Sequence, residues 1–355
     1  MNLPSSFRFL FCSLAIIVSL SAHAYPGESI VLDPATGDYI ITYWDEEEPA
    51  GLEKGTFIPS TKINPSVQSQ FSMDEKGTVS YWYKVRSDSL SRQIIGTVRF
   101  VFSQNIIGSQ EWPTTNRAMV TEAQLAAVYA ANSAALASPF GWHGSIYSRN
   151  GYRISWNSSS EPDRGIRPGS TLEGFGFSSH ALPGIGFAQM EGDHPPRGWS
   201  GEGPTDSSAI WPALKKLEDN DFVPRNAAVP TIAVPVPFDA AVLLDNIRAQ
   251  MLTWTGMKLL DPAFATQLDR YMIAAANAYR SNQIKAGKEQ IESLRKLLER
   301  EHRYLDRDDE DNEDTTEHKT ATRFSIDRLA ARVLDFDLRY VLKRTEGEHK
   351  EGERR

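Results

Sequence analysis

A change of composition near residue 235 restricts this chain more than any other feature. Before it the sequence is rich in glycine, proline, serine, threonine and aromatic residues. After it alanine, leucine, glutamate, lysine and arginine take over. Short β-branched and aromatic runs broken by turn residues build sheets. Alanine- and leucine-rich runs with few breakers build helices. The expected fold is therefore α+β and multidomain: an N-terminal antiparallel β-sandwich with a helical insertion, and a C-terminal α-helical bundle.

The strand candidates follow from alternation. Tyr39 to Trp44 reads as a strand after the turn-like Asp33-Pro34-Ala35-Thr36-Gly37-Asp38. In Thr78 to Val85 one face holds Val79, Tyr81, Tyr83 and Val85. In Gly96 to Phe102 one face holds Val98, Phe100 and Phe102. Side chains two apart share a face of a strand, so these sets point to a core. Ile30 to Leu32, Tyr152 to Trp156, Ser170 to Ser178 and Ile185 to Met190 are weaker candidates of the same kind. Repeated short strands with glycine and proline between them predict a sandwich. Thr121 and Gln124 have capping-box spacing, which predicts a helix inserted among the strands and stopped before Pro139.

Helical spacing dominates after the proline-rich stretch. Val242, Leu243, Ile247, Met251 and Trp254 mark one helix, and Asp261-Pro262 is a cap followed by a first-turn proline. Phe264, Leu268, Tyr271, Ala275, Ala278 and Tyr279 mark the next. A break at Ser281-Asn282-Gln283 precedes a third helix carrying Ile284, Ile291, Leu294, Leu297, Leu298 and Leu305. A fourth, from Ile326, carries Leu329, Val333, Leu334 and Val341. The expected boundaries are a signal peptide over 1–24, a β-sandwich over 25–200, a Pro/Gly-rich linker over 201–237, a helical bundle over 238–344 and a disordered charged tail over 345–355.

The first two dozen residues read as a secretory signal. Arg8 precedes the apolar run Phe9 to Leu20, and Ser21-Ala22-His23-Ala24 is a small-x-small site cut after Ala24. The apolar run is shorter than the roughly 20 residues needed to span a bilayer. No later run is longer, so no transmembrane segment is expected in the mature chain. The one cysteine, Cys12, lies within this signal. An exported protein, periplasmic or secreted, with neither disulfide nor thiolate metal site is the expectation. A net charge of −8 argues against nucleic acid as a partner.

Residues that point to chemistry are sparse. There is no HExxH, no Gly-x-Ser-x-Gly elbow, no P-loop and no dinucleotide fingerprint, and no cofactor is expected. Glu191, Asp193 and His194 are carboxylates and an imidazole in one stretch. They suit metal ligation or acid–base work, or simply form a solvated loop. Asp306, Asp308, Glu310 and Asn312 alternate, and Glu317 falls twelfth from Asp306, as in an EF-hand loop. Asp311 stands where that loop needs glycine, and Glu313 where it needs an apolar residue. An acidic linker is therefore preferred, with weak calcium binding as the alternative. Among the tryptophans, Trp142 and Trp199 are flanked by glycines in expected loops and are the least core-like, hence candidates for ligand stacking.

Two stretches resemble known protein classes. Tyr81-Trp82-Tyr83-Lys84-Val85, Gly141-Trp142, Ile154-Ser155-Trp156 and the run from Ile166 to Gly184 resemble the β-sandwich module of uncharacterised exported bacterial proteins. The run Tyr271 to Leu298 is similar to the helical hairpin of the FIMAH family. These resemblances imply fold and bring no catalytic residue. The functional expectation is a non-catalytic binding or scaffolding module of the cell envelope or secretome, with a glycan or an envelope protein as partner. The alternative is a hydrolase acting on envelope polymer, with its site in the β-domain loops around Glu191, Asp193 and His194.

Overall fold

The computed structural model describes residues 27–44, 51–111, 121–147, 152–158, 165–193, 204, 208–218, 222–301 and 325–352. The N-terminal strands are β1 (Ser29–Leu32), β2 (Tyr39–Trp44), β3 (Leu52–Phe57), β4 (Pro65–Met73), β5 (Val79–Ser87) and β6 (Ile94–Phe102). Then follow α1 (Glu122–Ala134), β7 (Leu136–Ala137), β8 (Trp142–Tyr147), β9 (Tyr152–Ser158), β10 (Thr171–Ser179) and β11 (Leu182–Asp193). The chain continues through α2 (Trp211–Glu218), β12 (Val223–Ile232), α3 (Ala240–Gly256), α4 (Pro262–Arg280), α5 (Ile284–Glu301) and α6 (Arg328–Gly352). Antiparallel sheets come first and packed helices last, so the fold is α+β as composition predicts.

The chain forms two compact units. The smaller draws on residues before 60 and on 196–220. It is the sheet β1-β2-β3 with α2. Ile41, Tyr43 and Phe57 lie on one sheet face and pack with Ile210 and Leu214. Glu28 accepts hydrogen bonds from the Ser208 hydroxyl and the Ala209 amide, which fixes the entry to α2.

The larger unit, 60–195 and 221–355, is a two-sheet sandwich continuous with the helices. One sheet has the order β4-β5-β10-β7, the other β12-β11-β6-β9-β8. The alternating faces of β5 and β6 meet between them. Tyr83 packs on Phe100 at 4.1 Å between ring centroids, Phe102 stacks on Phe177 at 5.4 Å, and Trp156 meets Phe175 edge-on at 5.6 Å. Offset and edge-on rings of this kind add to the apolar burial that drives the sheets together. β12 is an edge strand, and at buried Ala228 the ladder groups left free by the edge are satisfied from the facing sheet. The Ala228 amide donates to Ser69 Oγ, and the Ala228 carbonyl accepts from the Tyr83 hydroxyl at 2.8 Å.

The division near residue 235 is not where the compact units part. Residues 201–237, expected as a linker, contain α2 and the sandwich strand β12. One hydrophobic cluster runs from Tyr81 and Phe177 through Leu182 and Val229 to Trp254, Leu268, Leu334 and Val341. Phe71 of β4 meets Phe336 of α6 edge-on at 5.0 Å, and Lys343 Nζ donates to the Asp74 carbonyl. α3 and α6 pack against β11 and β12, so the helices share the sandwich core and do not form a separate one.

The helices otherwise begin as expected. Thr121 and Gln124 form a complete capping box on α1. Asp261 caps α4 by accepting from the Ala263 and Phe264 amides, with Pro262 in the first turn. A cap of this kind contributes about 1 kcal/mol. α4 and α5 form the antiparallel hairpin around Ser281-Asn282-Gln283. Three details differ. α1 stops at Ala134, because Leu136 and Ala137 pair with β10. Val242 is exposed, and Leu244 joins Leu243, Ile247 and Met251 in the core. α6 continues through Thr345 to Gly352 where a disordered tail is expected. Thr345 is buried, and its hydroxyl donates to the Val341 carbonyl one turn back.

Candidate ligand-binding face

The outer face of the five-stranded sheet is where exposed functional side chains converge. Inward-pointing Val98, Phe100, Ile154, Ala188 and Met190 are buried, so their chain neighbours point out. The strand register aligns these neighbours in rows. Ser145 lies opposite Ser155, Ser155 opposite Arg99, Arg99 opposite Gln189, and Gln189 opposite Pro224, a row across all five strands. On one side His143, Asn157, Thr97 and Glu191 form a second row. On the other, Tyr147 pairs with Arg153, Arg153 with Val101, and Phe187 with Asn226. Phe187 precedes Ala188, the partner of Phe100, so it falls beside Val101.

That third row is a band of exposed apolar and aromatic surface on a sheet. Tyr147 is 40% exposed, Phe187 49%, and Val101 is also exposed. Arg153 lies in this row and Arg99 in the adjoining central row. Arg153 sits over the Tyr147 ring at 5.0 Å, and Arg99 over the Phe222 ring at 4.0 Å. Neither arginine forms an ion pair among the described residues. Arg99 Nε is shielded from solvent and has no acceptor. Partial burial holds the Arg99 guanidinium below its usual range, and the nearby Arg153 charge adds to this. Glu191 and Tyr147 oppose it. The two arginines are diagonal neighbours on facing strands, near enough to repel.

The residues singled out from sequence fall differently. Glu191 lies in the outward rows of this face, opposite Thr97. Asp193 ends β11 opposite Ile94. His194 and Trp199 lie outside the described residues, as do Asp306, Asp308, Glu310, Asn312 and Glu317. Trp142 is not a loop residue. It begins β8, is 4% exposed, and meets Phe175 edge-on at 5.1 Å. Gly141 makes the turn before it with φ 79°, and Gly144 marks packing: a Cβ there would come within 3.0 Å of Trp156 Nε1 and 2.8 Å of Leu136. Trp142 is therefore a core residue and unavailable to a ligand. Among the described residues no three histidine, cysteine, aspartate or glutamate side chains gather as a metal site would.

The four-stranded sheet carries one exposed ring on its outer face. Trp82 is 44% exposed and lies flat over Gly176 on the neighbouring strand, where a Cβ would sit 2.5 Å from the indole. Its neighbours are Gln70, Ser80 and Ser178, and the nearby Lys84 faces Glu173.

No family model, curated protein or solved structure gives a significant match to this chain. The resemblances carried by the aromatic runs and by Tyr271 to Leu298 rest on those residues alone.

Proposed function

We propose that this is an exported, non-catalytic binding module that holds an extended glycan across the outer face of its five-stranded sheet. The supporting observation is the band from Tyr147 through Arg153, Val101 and Phe187 to Asn226. Rings that pack a core turn inward, and these turn outward. Strands are spaced about 4.8 Å apart, so Tyr147 and Phe187, three strands apart, are separated by roughly 14 Å. That span fits several linked sugars better than a single small molecule. Aromatic faces stack on sugar rings, and the flanking asparagine and glutamine amides supply donors and acceptors for hydroxyls. The face is open, as suits a polymer that enters and leaves sideways.

Export is part of the proposal and rests on Arg8, the Phe9 to Leu20 run and Ala22-His23-Ala24. N-terminal sequencing of the exported protein is expected to begin at Tyr25, and an intact Met1 in that fraction would refute it. Binding is tested by affinity electrophoresis in gels containing envelope polysaccharides. Retardation of the wild type, with loss in a Tyr147→Ala/Phe187→Ala variant that melts normally, is the expected result. Retardation unchanged in that variant would place any binding elsewhere. Shortening of the polymer chains during incubation would favour the hydrolase alternative.

A further inference from the structure

The ligand's charge follows from two arginines on this face, Arg153 in the band and Arg99 in the row beside it. We infer that the five-stranded face is built for an acidic polysaccharide, with Arg99 and Arg153 clamping sugar carboxylates. This rests on the glycan-binding reading above and specifies it.

The chain carries a net charge of −8, so an unpaired basic pair runs against its overall character. Some arginines of the chain are held by carboxylates, as Arg295 and Arg339 are by Asp335 in the helices. Among the described residues neither Arg99 nor Arg153 forms an ion pair, and the Glu191 charge acts on Arg99 without a contact of that kind. Packing holds them together in spite of their repulsion. The Phe222 ring lies under one guanidinium and the Tyr147 ring under the other. An aromatic bed fixes the plane of a guanidinium and leaves its N–H edge to face a partner. Two fixed forks on diagonal positions are pre-organised for carboxylate oxygens, and little side-chain entropy remains to be lost on binding. A bound anion also relieves the like-charge repulsion between the two guanidinium groups.

Sugar carboxylates fit better than nucleic-acid phosphates. Duplex DNA presents a charge about every 1.7 Å and is held by many cations. This face offers two arginines with Glu191 among its outward rows, so a dense polyanion meets repulsion soon after the first contacts. A polyuronate carries one carboxylate per sugar, and the exposed Tyr147 and Phe187 rings serve the sugar faces between them.

The discriminating probes are polygalacturonate and its fully methyl-esterified form, which share a backbone and differ in charge. The full chain is titrated with each at low and moderate salt. Polygalacturonate is expected to bind and the ester to bind at least tenfold more weakly. Arg153→Gln is expected to weaken polygalacturonate about tenfold, the loss of one charge-assisted contact. Arg153 is exposed, so this variant leaves the core intact. Arg99→Gln should do the same provided its melting temperature is preserved. Trp82→Ala, on the opposite sheet, should leave binding unchanged. Equal binding of acid and ester, lost in Phe187→Ala but not in Arg153→Gln, would overturn the acidic-ligand inference and leave the glycan-binding reading standing. Single-stranded DNA or polyphosphate binding as tightly as polygalacturonate would also overturn it, since the face would then select charge alone. No binding of either polymer or of a neutral β-glucan would overturn both.

Discussion

Replacing Asp337 by asparagine should abolish one component of the pH dependence of stability and strengthen the fold at neutral pH. Asp337 lies on α6 with 0% exposure, and neither carboxylate oxygen has a hydrogen-bond partner. Burial pushes its pKa well above the ordinary 3.8. The sign follows directly. The folded carboxyl keeps its proton in a range where the unfolded chain has released it, so the folded state binds more protons there. Stability is undiminished below the unfolded pKa and falls as pH rises toward the folded one, by up to about 1.4 kcal/mol per pH unit. Above the folded pKa the loss is complete and constant. The asparagine amide never ionises, so the variant escapes this loss. At neutral pH the wild type bears the cost of holding that proton, so the variant should be about 1–4 kcal/mol more stable at pH 7. Urea unfolding of both proteins from pH 4 to 8 isolates the effect, because all other titrating groups cancel in the difference. The two curves should converge at acid pH and separate as pH rises. Parallel curves, or a variant weaker than wild type at pH 7, would refute this account of Asp337.

Other substitutions probe the packing. Gly192→Ala should destabilise by about 1–3 kcal/mol in chemical denaturation, since its Cβ would lie 2.7 Å from the Ser60 carbonyl oxygen that accepts the Gly192 amide. Asp335→Asn should cost about 1–3 kcal/mol by weakening the half-buried contacts to Arg295 and Arg339, measured as a drop in urea midpoint. A chain ending at residue 237 should lose cooperative unfolding and expose apolar surface to dye. A sharp two-state transition would show instead that the sandwich stands without its helices.

Much of this architecture is legible in the sequence because burial imposes a period. Val79, Tyr81, Tyr83 and Val85 alternate against an outer face of Ser80, Trp82 and Lys84, and all four are buried. The Asp261-Pro262 start and the Thr121–Gln124 box are local chemistry and need no tertiary partner. β4 and β12 are harder to see. β4 spells PSVQSQFSM, and its inward Ser69 serves to bond Ala228 rather than to fill space. β12 contains Pro224 and Pro230, which a central strand excludes but an edge strand tolerates. The glycines beside Trp142 suggest a loop, yet Gly144 is a close-packing position within a strand.

The binding face is nearly invisible in one dimension. Tyr147, Arg153, Phe187 and Phe222 come from separate segments, and only strand pairing assembles them. The signal present was alternation: in Tyr152 to Trp156 and Gly186 to Glu191, the residues opposite in phase to the core set are Arg153, Phe187, Gln189 and Glu191. In the sequence Glu191 stands out as a carboxylate near Asp193 and His194, whereas its cross-strand neighbourhood gives it a place on this face. Asp337 also had a signal, since it falls between Leu334 and Val341 on the buried stripe of α6.

Hydroxyl-radical footprinting of the full chain with and without polygalacturonate locates the polymer on one sheet face or the other. Aromatic side chains are read out individually, and the two sheet faces serve as each other's control. Binding across the five-stranded sheet predicts reduced oxidation of Tyr147 and Phe187 on addition of polymer, with Trp82 and the 90% exposed Phe140 unchanged. Protection of Trp82 or Phe140, with Tyr147 and Phe187 oxidised as before, would contradict it.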